Sequence, residues 1–387
     1  MMIVTGFSYL ALLIFLASLI VYVDKRYHSK LFDYLPAIVI LYFVVMLLST
    51  MGMWQKTAEI TATYKSVKSN LLPVMIFLML LQADLRKIAK LGKKMLLTFF
   101  LAAFSIGLGF IGMFAIFHSF FEVDAWKAFA ALSGSWMGGT ANMVAIQGAL
   151  SVPDAKMGYA LLIDSIDYAV WVMILLALVP LAGRFNRWSG ADSSVIDEVG
   201  EKLSADQNRE PITFHSLFLL LGIGVAISAT SQYFATFMLV NDFVTTTTWV
   251  VIFATLSAVL FAMTPLSRVA GSGELGNILL YIIVALIASR ANFSELTQAP
   301  LYIIAGFVII AIHIVLMVIF AKLFKLDLFS LGVASLANIG GVASAPILAG
   351  AYSQALIPVG VLMAMMGYIM GTFGGLAVGK VLEMIGG

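Results

Sequence analysis

The sequence predicts an all-α polytopic membrane protein, and three observations carry that reading. First, 62% of its 387 residues are apolar and only 11% are charged. A soluble domain runs at roughly 45–50% apolar and about 25% charged, so there is too little charge to cover a water-facing globule. Second, mean hydropathy is +1.04. Third, the apolar residues fall into consecutive runs, and at about 20 residues per span the length allows roughly ten to twelve crossings. The net charge of +2 gives no reason to expect a nucleic-acid partner. The chain has no Cys, which excludes disulfides, thiolate metal sites and Cys nucleophiles. His28, His118, His215 and His313 are too scattered for an obvious metal cluster.

The first run, Ile3 to Val23, has no basic residue before it and Asp24-Lys25-Arg26 after it. A signal peptide carries its positive charge in front, so this run is expected to be a membrane helix with a cytoplasmic basic end. Further runs follow at about 34–54, 71–84, 95–118, 126–150, 155–182, 214–237, 243–263, 277–290, 300–324, 328–352 and 355–383. The stretch from Arg184 to Pro211 holds six acidic and four basic residues, the composition of a solvated linker. The expected organisation is a first repeat over 1–183, a polar cytoplasmic linker over 184–211 and a second repeat over 212–387.

An ungapped comparison of 133–170 with 335–372 supports the repeat. It pairs Ser133 with Ser335, Gly138-Gly139 with Gly340-Gly341, Gly148-Ala149 with Gly350-Ala351, and Gly158 with Gly360. Orientation follows from charge. If 126–150 and 328–352 each enter the membrane and return, the basic loops 24–31, 84–94, 183–213, 264–276 and 322–328 fall on one face. That face then holds about twice the Lys plus Arg of the other, as the positive-inside rule asks. Ten full spans and two re-entrant segments are therefore expected, with the halves as inverted repeats and both termini periplasmic. Broken helices that cross remain the alternative.

The segment Leu132-Ser-Gly-Ser-Trp-Met-Gly-Gly-Thr-Ala-Asn-Met143 contains adjacent glycines, each lowering helix stability by roughly 1 kcal/mol relative to Ala. Its counterpart, Ala334 to Pro346, ends on a proline that removes a backbone donor. Irregular backbone at membrane depth is tolerated where it is buried in protein or lines a wet cavity. Two such breaks at corresponding places point to a transporter binding site. The expected site residues are Ser133, Gly138, Gly139, Thr140, Asn142, Ser335, Asn338, Gly340, Gly341, Ser344 and Pro346. Half-helix N-termini suit an anion, and carbonyl and hydroxyl oxygens suit Na⁺.

Asp164 and Asp167 lie in the next run at i and i+3, on one helical face, with Met366 and Ile369 as repeat partners. Carboxylates inside a span are costly and mark coupling-ion pathways. Asp164, Thr140 and Asn142 are the expected Na⁺ ligands, with Asp167 a ligand or proton carrier. The bland alternative is an ion pair with Lys380 or Arg290. His313 sits inside a span as a proton relay or a packing residue. Gln82, Asp84, Arg290 and Asn292 stand at the ends of the two short runs and could line the same cavity. Gly367, Gly371, Gly375 and Gly379 form a four-residue seam for close packing.

Leu71-Leu-Pro-Val74, Leu81-Gln-Ala-Asp-Leu-Arg86, Gly134 to Met143, Thr264-Pro-Leu266, Gly271-Ser-Gly-Glu-Leu-Gly-Asn277 and Gly340 to Pro346 together resemble the DUF819 family of membrane proteins. More distantly the chain resembles the group of cation/proton antiporters, bile-acid sodium symporters and sodium-coupled citrate or glutamate carriers. That resemblance implies a scaffold domain, a core domain with two interrupted segments meeting at mid-membrane, and elevator-type alternating access. The antiporters place an adjacent acidic pair where Asp164 and Asp167 stand three apart.

The function expected from the whole is Na⁺ symport of a small polar or anionic organic solute across the cell (inner) membrane, with H⁺ as the other candidate coupling ion. Na⁺/H⁺ antiport without an organic substrate is the alternative. A channel or an intramembrane enzyme ranks lower, because no nucleophile–base pair stands out. No cofactor is expected beyond the coupling ion. The expected partners are a small-molecule substrate and the lipid bilayer, with a homodimer left open and no nucleic acid.

Overall fold

Apolar runs of this kind must form helices, because a chain in lipid has to satisfy its own backbone groups. A computed structural model of the protein describes residues 2–27, 36–55, 57–191, 211–241 and 243–387. Most of the linker expected at 184–211 lies outside the described residues. Among the described residues there is no β-strand, only an isolated parallel bridge between Ile3 and Trp54.

Before the linker come α1 (Gly6–Tyr27), α2 (Ala37–Thr50), α3 (Ala58–Leu80), α4 (Gly92–Phe117), α5 (Ala125–Gly138), α6 (Thr140–Ala149) and α7 (Lys156–Leu178). After it come α8 (Phe214–Ala235), α9 (Thr246–Ala262), α10 (Ser272–Ala288), α11 (Ala299–Phe324), α12 (Leu328–Ile339), α13 (Gly341–Tyr352) and α14 (Ile357–Gly386). Several of these helices start with a side-chain cap. Thr57 Oγ1 accepts from Ile60 N at 3.2 Å and Asp327 Oδ1 from Ser330 N at 2.7 Å. Thr213 and Thr245 form capping boxes with Ser216 and Thr248.

Among the described residues, six helical stretches are long and apolar enough to cross a membrane: Gly6–Tyr27, Ala89–Phe120, Lys156–Ser189, Phe214–Ala235, Ala299–Phe324 and Gln354–Gly386. The apolar run at 71–84 is not a short helix. It is the buried half of the 23-residue α3, whose first half carries Glu59, Lys65 and Lys68. Hydropathy marks where side chains leave water, not where a helix begins.

The two glycine-broken segments fold back on themselves. A Cβ on Gly134 of α5 would lie 2.8 Å from Ile146 Cγ1 of α6, and one on Gly332 of α12 would lie 3.1 Å from Leu348 Cδ2 of α13. Residues this far apart in sequence would stand well over 15 Å apart along a straight helix. Each pair of half-helices is therefore a hairpin, with its tip at the glycines.

The described parts of the basic loops 84–94, 183–213, 264–276 and 322–328 gather at one end of the bundle. Lys94 pairs with Asp327 at 3.2 Å, Lys322 Nζ donates to Trp188 O at 2.6 Å, and Gly273 packs on Gln82. Helix α4 runs from there to the opposite end, where His118 packs on Gly386 and Lys156 pairs with Glu122 at 2.8 Å. The base of the α12–α13 hairpin lies at the basic end, and that of the α5–α6 hairpin at the other.

Packing separates the helices into two groups. Helices α1–α3 and α8–α10 pack mainly on one another, and so do α4–α7 and α11–α14. In the second group the seam on α14 meets a matching stripe on α5. A Cβ on Gly371, Gly375 or Gly379 would lie 2.7 Å from Gly138 Cα, 2.9 Å from Gly134 Cα and 2.9 Å from Ala130 Cβ, respectively. Two stripes of small residues let the backbones touch. Gly375→Val would push against backbone, and we expect it to destabilise the protein by about 1–3 kcal/mol. Gly222→Ala, with nothing within 4 Å of the new Cβ, should instead stabilise α8 by about 1 kcal/mol. Thermal unfolding of both variants in detergent checks the contrast.

Candidate functional site

The hairpin tips come together beside α14. A Cβ on Gly367 would lie 3.2 Å from both Gly138 Cα and Ala337 O. Those two atoms are thus within twice that distance of one another.

Next to the tips is a cavity of about 270 Å³ between the two helix groups. Gly139, Thr140, Gly340, Gly341 and Asp164 wall one side, and Val39 of α2, Met79 of α3 and Asn277 and Tyr281 of α10 wall the other. The first N–H groups of a helix lack intrahelical acceptors, and both α6 and α13 begin at this cavity. Gly139 has φ +94° and ψ 172°, backbone that essentially only glycine adopts. Gly341 has φ +59°, in the left-handed region.

Asp164 projects from α7 toward the tips. Its Oδ1 accepts from Ser135 Oγ at 3.0 Å and from Trp136 Nε1 at 3.1 Å. Among the described residues no donor reaches its Oδ2. One oxygen is therefore fixed by α5 while the carboxylate still lines the cavity. Tyr168, one turn further along α7, lies against Gly340 and also lines it.

Several expected site residues stand elsewhere. Asn142 is buried and fully engaged: its Nδ2 donates to Gly138 O at 2.8 Å, and its Oδ1 accepts from Thr372 Oγ1 at 2.6 Å. It braces the tip and does not face the cavity. Ser133 Oγ donates to Ala130 O at 2.8 Å, and Asn338 Nδ2 to Ala334 O at 2.9 Å. Gly138 packs on α14. Ser344 sits behind Gly340, and Pro346 lies against Gly360 of α14.

Asp167 shares a helix with Asp164 but faces α11, where Gly306 makes room for it. It is fully buried, and among the described residues no donor reaches either carboxylate oxygen. Neither acid pairs with Lys380, which bonds Glu383, or with Arg290, which lies over the Tyr64 ring. Asp84 pairs with Arg86 at 2.9 Å and Asn292 caps Ser294, and neither they nor Gln82 and Arg290 line the cavity.

Ser335 belongs to a different network. It accepts from Trp171 Nε1 at 2.9 Å and bonds His313 Nε2 at 2.8 Å, while His313 Nδ1 bonds Ser105 Oγ at 2.6 Å. Ser105 donates its own proton to Ala102 O, which assigns the ring proton to Nδ1. Every polar atom of that histidine is thus satisfied, as a packing role requires.

Sequence reasoning missed Ser135 and Trp136 as partners of Asp164, and Tyr168, Asn277, Tyr281 and Tyr368 as cavity walls. Tyr168 had a local signal, since it stands at i+4 from Asp164. Asn277 and Tyr281 come from a helix in the other half, and no local pattern ties them to the tips.

Asp154, in the α6–α7 connection, holds the two groups together. Its carboxylate accepts from Tyr64 Oη at 2.8 and 2.9 Å and from Gln147 Nε2 at 3.0 Å, with Lys68 Nζ at 3.5 Å. Tyr42 Oη donates to its carbonyl at 2.9 Å. Tyr42, Tyr64 and Lys68 come from α2 and α3, and Gln147 from α6.

These features define an all-helical membrane protein with two helical hairpins meeting at a cavity. The chain belongs to the DUF819 family, described as proteins of unknown function, whose pattern matches residues 11–385. It is similar to an uncharacterized membrane protein of Bacillus subtilis (strain 168), YjcL, at 25% identity over 339 residues, covering 82% of this chain and 83% of the relative.

Two outcomes follow from this geometry. Gly139→Ala should cost about 1–3 kcal/mol, since its backbone excludes a side chain, whereas Gly341→Asn should be nearly neutral, since Asn tolerates the left-handed region and nothing lies within 4 Å. Thermal midpoints of the two variants test this. Asp154→Ala should cost about 2 kcal/mol by leaving Lys68, the Tyr64 hydroxyl and Gln147 Nε2 without their shared acceptor. The same measurement reads it, and a wild-type midpoint would show that the contact contributes nothing.

Proposed function

We propose that this protein is a secondary transporter of the cell membrane, moving a small polar or anionic organic solute together with Na⁺ by alternating access. One observation carries the proposal: a cavity between two helix groups, walled by two hairpin tips and by a carboxylate with one oxygen free of protein donors. The hairpins start from opposite ends of the bundle, and the helix order before the linker returns after it. Both features support inverted repeats over 1–183 and 212–387, with α1–α3 and α8–α10 as scaffold and the remaining helices as a core that moves in an elevator fashion.

In this proposal Asp164 Oδ2 and Thr140 offer oxygens to Na⁺, and the N-termini of α6 and α13 face the anionic part of the solute. Asn142 acts through the tip it braces. The carrier needs no cofactor and performs no covalent chemistry. Its cytoplasmic face is the end where the basic loops gather.

A second reading, Na⁺/H⁺ antiport without an organic solute, has Asp167 in its favour. A carboxyl group with no donor on either oxygen gains or loses a proton without breaking a hydrogen bond.

Thermal stabilisation of the purified protein by a panel of small carboxylates, amino acids and sugars, in NaCl and in KCl, should single out one solute class in NaCl. Asp164→Asn should stay folded and monodisperse yet lose Na⁺-driven uptake in proteoliposomes by at least tenfold. Normal, Na⁺-dependent uptake by that variant would make Asp164 structural. Uptake that follows a pH gradient and ignores Na⁺ would make H⁺ the coupling ion.

A further inference from the structure

A second cavity, of about 580 Å³, lies between α7, α11, α12 and the short helix Ala182–Ser189. It is about twice the size of the cavity that holds Asp164 and shares no residue with it. Its inner end is closed by His313 and Ser335, whose polar atoms are engaged with each other and with Ser105 and Trp171. Nothing there is left to bind a polar ligand.

From that end outward the wall is apolar, with Leu175 and Leu178 facing Met317 and Leu331. Only the mouth carries a charge, on Arg184, beside Trp188. Arg184 is exposed, and no carboxylate pairs with it among the described residues. The short helix is pinned across the mouth, because Lys322 Nζ donates to Trp188 O at 2.6 Å and Leu328 N donates to Asn186 Oδ1 at 2.9 Å.

The dimensions suit a membrane lipid. From His313 to Lys322, nine residues of α11 rise about 13 Å, close to the roughly 15 Å depth of one leaflet of a 30 Å hydrocarbon layer. The mouth lies at the end of the bundle where the basic loops gather, and basic pockets between membrane helices recognise anionic headgroups. An apolar slot one leaflet deep, with a guanidinium at its rim that no described carboxylate pairs, matches an amphiphile with one chain inside and a negative head outside.

We propose that this groove is a binding site for an anionic phospholipid of the surrounding bilayer, with an acyl chain along Leu175, Leu178, Met317 and Leu331 and its phosphate at Arg184. The site does not depend on what the carrier transports.

The test adds phosphatidylglycerol or phosphatidylcholine of identical chains to the detergent-purified full chain and follows the thermal midpoint, with native mass spectrometry counting retained lipid. Phosphatidylglycerol should stabilise the wild type more than phosphatidylcholine. Arg184→Gln should weaken its apparent affinity about fivefold, as the loss of one basic residue at a lipid surface predicts. Val318→Trp, at a groove residue that is 40% exposed, should fill the slot and remove stabilisation by both lipids. Arg184→Gln, a surface change, keeps the test decisive if Val318→Trp does not fold. Equal stabilisation of the wild type by the two lipids would overturn the proposal. So would an unchanged response in Arg184→Gln or in a folded Val318→Trp. A free fatty acid that replaces phosphatidylglycerol in full would overturn it as well.

Discussion

A helix that ends inside a membrane leaves N–H and C=O groups that lipid cannot satisfy, and this protein ends four half-helices there. Everything around the hairpin tips follows from that constraint. The tips are enclosed by protein: α14 passes close enough for Gly367 to touch both, and Asn142 ties the Gly138 carbonyl to Thr372 of α14. The approach needs glycine on both partners, so the stripe Gly367–Gly371–Gly375–Gly379 faces the stripe Ala130–Gly134–Gly138. What remains open is the side facing the other helix group, and there the cavity forms.

The two acids of α7 show how neighbours divide chemistry along one helix. Asp164 meets the α5 tip, is held through one oxygen by Ser135 and Trp136, and keeps the other toward the cavity. Asp167, less than one turn away, meets the bare backbone of Gly306 and has no donor. The first suits holding a cation in a defined place, the second holding a proton. His313 makes the contrast complete: it is a buried titratable residue whose two nitrogens are both occupied, and it joins α4, α11 and α12 as a packing element.

The cavity lies between two helix groups that meet through both apolar and polar contacts: Leu72 of α3 packs on Gly148 of α6, and Thr248 Oγ1 of α9 donates to Ala149 O of α6 at 2.7 Å. Asp154 gathers Tyr42, Tyr64 and Lys68 from one group and Gln147 from its own.

Composition and hydropathy alone specified a many-helix membrane protein, and the paired glycines located both hairpin tips, because apolar length and a local loss of helix propensity are properties of contiguous residues. The charge pattern likewise placed the basic loops on one end. Hydropathy misjudged α3, whose polar first half is helical because it packs against α1 and the Asp154 connection. The sequence placed Asn142 and Ser335 at the site by proximity to the glycines, yet a helix sends neighbouring side chains in different directions, and both were claimed by other helices. Which oxygens face the cavity, which tyrosines wall it from the other half of the chain, and where a lipid-sized groove opens were decided only by tertiary structure, since each depends on surfaces brought together from more than a hundred residues apart.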